Sequence, residues 1–371
     1  KEIAVKNAPK HMDSRGWGFL TTHFERTATQ YSSLIEKADE EKIYEAVFDG
    51  GVAKLDVFSR YAGPAEAELN RARREGFNGV GLKIQIKSGK PIITNVQSNM
   101  PAARAGLRVN DQITHIDGIE LYNATERDVT KRLQGSVRSE VAIRVYRKSE
   151  DRHLKISMAR MHIVPTTVTT ETTDDFVYIK ISSFNQGTAD SMEKELRKIR
   201  NTGNSNLKGL IIDLRGNPGG LLKQSIKVAD LLLSKGHIIS TRGRHPDSLH
   251  HYEAGGQDFA DGWRIVVLVD GKSASAAEIV AAALQDHGRA VLVGTSSYGK
   301  GTVQTVIRLP NNGELNLTWS RFIAPSGYAL HGLGVRPTIC TSQLKDSPQA
   351  ALVQFLSSKV ETRSTLTSWR Q

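Results

Sequence analysis

The stretch RIVVLVDGKSASAAEIVAAALQDHGRAVLVG, residues 264–294, decides the fold of the region around it. It begins with an apolar run typical of a buried strand and passes through a short turn into an alanine-rich helix. It ends in a second apolar strand. Strand, helix and strand in this order predict two neighbouring parallel strands in an α/β layer. Ser275 lies where the helix begins, so the role of that serine is the first question that the sequence raises.

The same order of elements extends on both sides, from about residue 164 to residue 345. Helical patterns cover residues 190–202 and 221–233, and a hairpin is predicted around Asn312 and Gly313. Apolar strands precede three turns, RGNPGG (215–220), GKSAS (271–275) and SSYGKG (296–301). In open α/β sheets, functional sites form beyond the carboxyl ends of the strands. We therefore expect these three turns to meet at one edge of the sheet.

Two roles are open for Ser275. It fits a helix N-cap, because Glu278 three residues later completes a capping-box pattern, although Ser273 competes for that position. It also fits a nucleophile at a helix N-terminus, where the N–H of Ala276 would point at a developing oxyanion. The small alanines around it would leave room for a substrate backbone.

A serine nucleophile needs a base, and histidine is the usual one. His287 lies at the far end of the same helix, about 18 Å away at 1.5 Å per residue, so it fits a helix C-terminal cation instead. His250 and His251 are expected in a surface loop. His331, in LHGLG, stays open as an alternative base.

Lys300 fits the base better than any of these histidines. A lysine accepts a proton only as the neutral amine, which requires a site away from water and carboxylates. No acidic residue lies within nine positions of Lys300 in the sequence, and Gln304, four residues later, shares its strand face. A solvated turn lysine is the alternative interpretation of this Gly-Lys-Gly sequence.

Three further regions complete the predicted organisation. Residues 1–76 have helical spacing, broken at Gly50-Gly51, and a helical tail is expected over residues 346–371. Residues 77–163 alternate in twos around a short helix after Pro101 and a later helix from residue 126 to 135. The chain is therefore predicted to be a multidomain α+β and α/β protein.

Residues 77–163 resemble a PDZ domain. The resemblance rests on GVGL (79–82), on NMPAARAGLRVNDQITHIDG (99–118) and on the late helix. It implies that a peptide's terminal carboxylate docks at the loop of residues 78–81 and that the peptide adds a strand along residues 82–86. The peptide-binding residues implied are Gly79, Val80, Gly81, Leu82, Ile84, Val129 and Leu133, the last two lining the pocket for the final side chain.

The sequence from SASAAEIV to SYGKGTVQT, together with DLRGNPGG, resembles the carboxyl-terminal processing proteases, also called tail-specific proteases. The resemblance spans roughly residues 45–340 and implies a crotonase-like α/β protease core over residues 164–345. It places a Ser–Lys dyad at Ser275 and Lys300, with Gln304 orienting the lysine. The oxyanion donors it implies are the N–H groups of Ala276 and of a glycine in NPGG, taken as Gly219.

The family cuts proteins near C-termini after binding an apolar tail, in the bacterial envelope or thylakoid lumen, so export to the periplasm or cell envelope is expected. No metal or cofactor is implied. Two positions depart from the family pattern: Gln134 stands where an Arg is expected, and Thr338 where an Asp is usual.

Composition limits the remaining alternatives. The single cysteine, Cys340, leaves no intrachain disulfide and no zinc-ribbon pattern, and it fits a small core or edge residue. The net charge is +11, but the basic residues are spread out along the chain and aromatic residues make up 6%. This disfavours nucleic acid and favours acidic peptide or a loose contact with an anionic membrane surface. An inactive peptide-binding scaffold and a Ser–His esterase using His331 remain as alternative functions, and the helical ends suggest a homodimer.

Overall fold

The computed structural model describes residues 9–10, 13–173, 175–202 and 207–343. The chain forms two compact units. One contains residues up to Leu69 together with Val303–Trp319, and the other contains Asn70–Thr302 together with residues from Ser320 onward. The tail predicted over residues 346–371 lies outside the described residues.

The N-terminal region is helical, as the sequence predicts. Its elements are α1 (Ser14–Tyr31), α2 (Ser33–Glu36), α3 (Glu40–Val52), β1 (Arg60–Ala62) and α4 (Pro64–Glu75). The predicted break at Gly50-Gly51 lies slightly too early, because α3 includes both glycines and ends at Val52. A glycine costs only about 1 kcal/mol in a helix, so the last turn tolerates both. An earlier interruption lies before Asp39, whose carboxylate accepts the Glu41 N–H at 2.9 Å and starts α3.

The next region is a β-rich domain with two helices. Its elements are β2 (Phe77–Gly79), β3 (Leu82–Lys87), β4 (Lys90–Val96), α5 (Pro101–Arg104), β5 (Gln112–Ile116), β6 (Ile119–Glu120), α6 (Glu126–Leu133), β7 (Glu140–Arg147), β8 (Arg152–Ala159) and β9 (Met161–Ile163). The strands form an antiparallel sheet in the order β3-β4-β5-β7-β8, with β6 beside β5, while β2 pairs with β9. An apolar core that includes Ile93, Ile113, Val129 and Ile143 fills the space between sheet and helices.

The remaining elements build the α/β layer. They are β10 (Val168–Thr172), β11 (Phe176–Ile181), α7 (Thr188–Asn201), β12 (Gly209–Asp213), α8 (Leu222–Asp230), β13 (Gly236–Arg242), β14 (His250–Ala254), β15 (Arg264–Val269), α9 (Ala276–Asp286), β16 (Ala290–Gly294), β17 (Thr302–Arg308), β18 (Glu314–Ile323) and β19 (Ile339–Cys340). One sheet has the order β10-β11-β12-β15-β16-β19, and every pair from β11 onward is parallel. This confirms the predicted α/β architecture.

The strands β13 and β14 were not predicted. His250 and His251, expected in a loop, begin β14 instead. The His237 and His251 rings stack with centroids 4.0 Å apart across this hairpin, and both contact the Ser240 hydroxyl. Burial, reinforced by His251, lowers the pKa of His237. Polar strand residues of this kind carry no apolar alternation, so their pattern resembles a loop.

β18 takes part in both units. Its first residues pair with β1 in the first unit, and its last residues pair with β13 in the second. The predicted hairpin is confirmed, because β17 pairs with β18. Cys340 lies in the edge strand β19 and is exposed, so its placement at an edge is confirmed and a core position is wrong.

Candidate active site

Ser275 lies in the turn between β15 and α9, in a strained backbone conformation. Its φ is 55° and its ψ is −114°. Residues other than glycine rarely adopt such angles, which recur at functional sites. An ordinary N-cap residue has extended backbone. The strain therefore favours the nucleophile interpretation over a simple helix cap.

The neighbouring Ser273 fixes this turn in place. It is fully buried, its hydroxyl donates to the Leu214 carbonyl at 2.8 Å, and it accepts the Asp270 N–H at 3.0 Å. One residue on, the Ala274 N–H donates to the Asn217 carbonyl at 2.9 Å. These bonds join the Ser275 turn (residues 270–275) to the glycine-rich turn (residues 215–220) that follows β12. Ser273 is held by these bonds, so it does not compete for the helix cap.

Gly219 lies directly against the Ser275 turn. A Cβ at this position would lie 2.8 Å from Ser275 Cβ and 3.0 Å from Ala276 N. The Gly219 N–H donates to Asn217 Oδ1 at 2.8 Å, and the buried Asn217 side chain donates in turn to the Ile181 carbonyl at 2.7 Å. The structure thus brings both predicted oxyanion residues next to Ser275, with Asn217 holding the Gly219 N–H in this conformation.

Replacing Gly219 with alanine is expected to reduce cleavage about a hundredfold or more, because a methyl group would displace the Ser275 turn and an oxyanion donor with it. Gly216→Ala is the matched control. Gly216 also has a positive φ, 72° against 98° at Gly219, but a Cβ there would meet nothing within 4 Å. Steady-state cleavage rates of both variants provide the measurement. Equal losses would show that backbone strain, and not contact with Ser275, causes the effect.

The buried carboxylate of Glu278 joins the Ser275 turn to the lysine-bearing loop (residues 296–301). Glu278, 1% exposed, accepts the N–H of Ser275 at 2.7 Å and that of Lys300 at 2.9 Å through Oε2. Its Oε1 accepts the Ser297 hydroxyl at 2.5 Å and the Gly299 N–H at 2.7 Å. The sequence predicts Glu278 only as part of a capping box. Nothing in the local pattern shows that its carboxylate also reaches residues 297–300.

The other side of the lysine-bearing loop is held by the segment after β18. The Val335 N–H donates to Ser297 Oγ at 2.7 Å, and the Ser297 N–H donates to the Val335 carbonyl at 3.1 Å. A Cβ on Gly301 would lie 2.2 Å from the His331 nitrogen, so only glycine fits beside Lys300 at this point. His331 is therefore a neighbour of the loop through its backbone.

Gln304 follows on β17, in the first unit, whereas Lys300 belongs to the second. Its Nε2 donates to Thr318 Oγ1 on the paired strand at 3.4 Å. The orienting role implied by the family resemblance stays a prediction.

The start of the glycine-rich turn carries a buried aspartate. Asp213 is fully buried and accepts Arg215 Nε and Nη2 at 2.9 Å each and the Tyr178 hydroxyl at 2.5 Å. Burial alone would raise the pKa of Asp213, but the hydrogen bonds from Arg215 and Tyr178 outweigh it and lower that pKa. Asp213 therefore stays ionised and anchors the turn that leads to Gly219.

Asp213→Asn is expected to destabilise the protein by about 1–2 kcal/mol at neutral pH. This is the low end of the range for hydrogen bonds to charged groups, because Arg215 is half exposed. A carboxylate with a lowered pKa stabilises the fold above its unfolded pKa of about 4, and this contribution disappears as the pH falls through the lowered folded value. The difference from wild type should therefore shrink in acid. Urea unfolding midpoints of wild type and variant, measured across pH, test this expectation. Asp190→Asn, at an exposed position, is the control. A difference in stability that does not change with pH would contradict the prediction.

The predicted tail-binding residues lie at the end of β2 and along β3. The carbonyl of Val80 accepts the Ala102 N–H, and that of Gly81 accepts the Gln97 N–H, both at 2.9 Å. Val129 and Leu133, expected to line a pocket, are 0% and 6% exposed and belong to the core of this domain. In this conformation neither side chain presents a surface to a ligand.

The two departures from the family pattern have separate surroundings. Gln134 ends α6, where the buried Arg160 donates to the carbonyls of Arg132 and Leu133 at 2.9 and 3.0 Å. The Thr338 hydroxyl accepts from Gln285 Nε2 at 3.2 Å. Neither residue contacts the turns around Ser275.

In the part of the chain that the structure describes, no group of three or more His, Cys, Asp or Glu side chains is arranged to hold a metal ion. Among the same residues, no helix has the length and apolar character needed to cross a membrane.

The chain is similar to proteins of one protease family. The family model of peptidase family S41 matches residues 175–341, and a PDZ domain model matches residues 78–158. A carboxy-terminal-processing protease of Bartonella bacilliformis is 36% identical over 322 residues, covering 86% of this chain and 74% of that protein. A probable CtpA-like serine protease of Staphylococcus aureus is 30% identical over 312 residues, covering 83% and 62%. The solved photosystem II D1 C-terminal processing protease aligns with 92% of this chain and 97% of its own at 23% identity, with a TM-score of 0.49.

The chain is a serine-type endopeptidase with a PDZ domain before its α/β core. The chain belongs to peptidase family S41, among the carboxy-terminal-processing proteases.

Proposed function

We propose that this protein binds the apolar C-terminal tail of a client protein and cleaves the client near that end, using Ser275 as nucleophile and Lys300 as base. The observation that carries the proposal is the Glu278 carboxylate, which accepts N–H groups from both residues on one oxygen. Such an arrangement holds the two backbone segments in a fixed relation. A Ser–Lys dyad requires its two backbone segments to be held together. A helix cap requires contacts only within the first turn of the helix.

The reaction would proceed through an acyl-enzyme. The neutral Lys300 amine takes the proton from Ser275 Oγ as that oxygen attacks the scissile carbonyl. The resulting ammonium returns the proton to the leaving amine when the C–N bond breaks. A water molecule then attacks the ester, giving its proton to Lys300, and Ser275 is released with its proton restored.

The tetrahedral intermediate needs donors for its oxyanion. The N–H of Ala276 lies at the start of α9, where the helix dipole also favours negative charge. The N–H of Gly219 is the second donor, and Asn217 Oδ1 holds it until substrate arrives. Gln304 would orient the Lys300 amine without fixing a positive charge on it.

Tail docking belongs to the PDZ domain. Edge strand β3 has β4 on one side, and no strand of the described residues pairs with its other edge, which suits the addition of a peptide strand. Because Val129 and Leu133 are buried here, a tail must rearrange α6 against β3 to obtain a pocket.

The proposal also covers the domain boundaries and the location of the protein. The domains are residues 1–76, 77–163, 164–345 and 346–371, and the protein acts in the periplasm or cell envelope. A homodimer and a loose contact with the membrane surface are consistent with the exposed apolar residues of α1, including Trp17 and Phe19, and with the positive charge.

Cleavage of an unfolded protein with an apolar C-terminus tests the function. Mass spectrometry should show cuts near the tail, and the same protein with an amidated or lysine-ended tail should be cut much more slowly. A matched unfolded substrate without any apolar tail is the control. Equal cleavage of all four substrates would show that no apolar tail is required, while the protease assignment would stand.

A further inference from the structure

The outer face of edge strand β3 is basic. The inward residues of this strand are Leu82, Ile84 and Ile86, and the outward ones, Lys83, Gln85 and Lys87, are exposed. Side chains on a strand alternate between the two faces. A peptide added to this edge would therefore present every second side chain beside the two lysines.

These lysines have no carboxylate partner on the neighbouring strand. Lys83 lies opposite Asn95, and Lys87 lies opposite Lys90, in the pairing of β3 with β4. Within the described part of the chain, neither Lys83 nor Lys87 forms an ion pair. Like charges opposite each other are unfavourable, and an anion beside them relieves the repulsion.

The domain around β3 carries most of the excess positive charge. Residues 77–163 contain fifteen lysines and arginines against eight acidic residues, a net +7 out of +11 for the whole chain. Such a field attracts acidic ligands and excludes basic ones.

We propose that the preferred clients carry acidic side chains at alternate positions just upstream of their apolar C-terminal residue, facing Lys83 and Lys87. With the last residue opposite Leu82, the second residue from the end lies opposite Lys83 and the sixth opposite Lys87. The fourth lies opposite Gln85, diagonally within reach of both lysines. This inference rests on the proposed function, whose tail site it makes specific.

Labelled ten-residue peptides test it by fluorescence anisotropy with the full chain carrying Ser275→Ala, which prevents turnover. All peptides end in the same apolar residue, with Asp, Asn or Lys at the second, fourth and sixth positions from the end. We expect the Asp peptide to bind about fivefold more tightly than the Asn peptide, and the Lys peptide more weakly than both. The difference should disappear in 0.5 M salt, because the lysines are exposed.

Charge reversal provides the matched comparison. K83E combined with K87E should invert the order of the peptides, whereas K148E combined with K155E should preserve it. The second pair changes the net charge equally, and both of its residues are exposed and away from β3, with Lys155 on β8 at the opposite edge of the sheet. Equal effects of the two double variants would overturn the inference, because total charge alone would then explain the preference.

The outcomes separate this inference from the proposed function. If no peptide with a free C-terminus binds better than its amidated form, tail docking itself fails. If free C-termini bind regardless of charge, tail docking stands and the acidic preference is wrong. Binding of wild type, but not of the K83E and K87E double variant, to phosphatidylglycerol-containing vesicles, with no peptide preference, would assign the lysines to a membrane surface instead.

Discussion

Lys300→Ala is expected to lower kcat/KM for peptide cleavage by about 10⁴-fold or more, close to the loss in Ser275→Ala. Removing either member of a nucleophile–base pair has nearly the effect of removing both, because the two act as one unit. The double variant should therefore be no slower than the single ones. Initial rates on a fluorogenic peptide, normalised to protein that retains the wild-type circular dichroism spectrum, give the comparison.

Lys300→Arg separates a base from a positive charge. Arginine keeps the charge and the length of the side chain, but it stays protonated throughout the accessible pH range and cannot accept the Ser275 proton. We expect it to be as inactive as alanine. Lys272→Ala is the matched control, since Lys272 is an exposed lysine in the same turn as Ser275 and should leave the rate unchanged.

The pH dependence gives a second readout. Only the neutral amine accepts a proton, so kcat/KM of the wild type should rise towards alkaline pH and level off once Lys300 is deprotonated. A histidine base would give its rise near pH 6.5 instead. His331→Ala should keep most of the activity, because His331 meets the loop through its backbone. Loss of activity in His331→Ala, together with an active Lys300→Ala, would move the function to the Ser–His alternative.

The fold could be predicted from the sequence where the patterns are local and apolar. The parallel strands around α9 are continuous apolar runs, and the helix between them is bounded by a turn and a glycine, so β15, α9 and β16 are close to their predicted positions. The hairpin of β13 and β14 was missed, because its polar residues and the adjacent pair Ile238 and Ile239 show no apolar alternation. Its strands are fixed by pairing with each other and with β18, which lies about eighty residues away in sequence.

The proximity of the turns around Ser275 could be predicted about as well as the apolar strands and helices. Ser275, Ala276 and Gly219 follow buried strands, and parallel topology alone brings those turns together. The linkage through Glu278 was not predictable, because a capping box requires contacts only within one helix turn. The sequence near Lys300 contains no acid, yet a carboxylate accepts its N–H in the folded chain. Linear distance from acidic residues is thus a poor guide to the surroundings of a buried loop.

Glu278 supports the second large prediction. Its two oxygens accept four hydrogen bonds, and each donor belongs to the Ser275 turn or to the lysine-bearing loop. Glu278→Ala removes both acceptor oxygens from a buried site and leaves four donors without their partner, and unsatisfied buried donors cost about 1–3 kcal/mol each. We expect kcat to fall about a thousandfold or more, with a smaller change in KM, because the two reacting side chains lose their fixed relation.

Glu278→Gln should have a graded effect. The amide keeps one oxygen, which can still accept from Ser275 and Lys300, while its NH₂ group can donate to Ser297 Oγ. The Gly299 N–H then loses its acceptor. A loss of about 10- to 100-fold in kcat is therefore expected, well short of the alanine variant. The exposed Glu171→Gln on β10 is the matched control and should behave as wild type.

Glu278 acts through other residues, so the test must separate positioning from simple stability. The rate at which a fluorophosphonate modifies Ser275 reports on the reactivity of the serine in the absence of peptide binding. It should fall in the order wild type, Gln, Ala under conditions where all three variants remain folded by circular dichroism. A Gln variant with wild-type kcat and labelling rate would show that Ser275 and Lys300 keep their relation without this carboxylate, and the observation on which the proposed dyad rests would lose its force. A parallel decline in kcat and labelling would instead show that Glu278, predicted from the sequence as a capping-box residue, also aligns the nucleophile with its base.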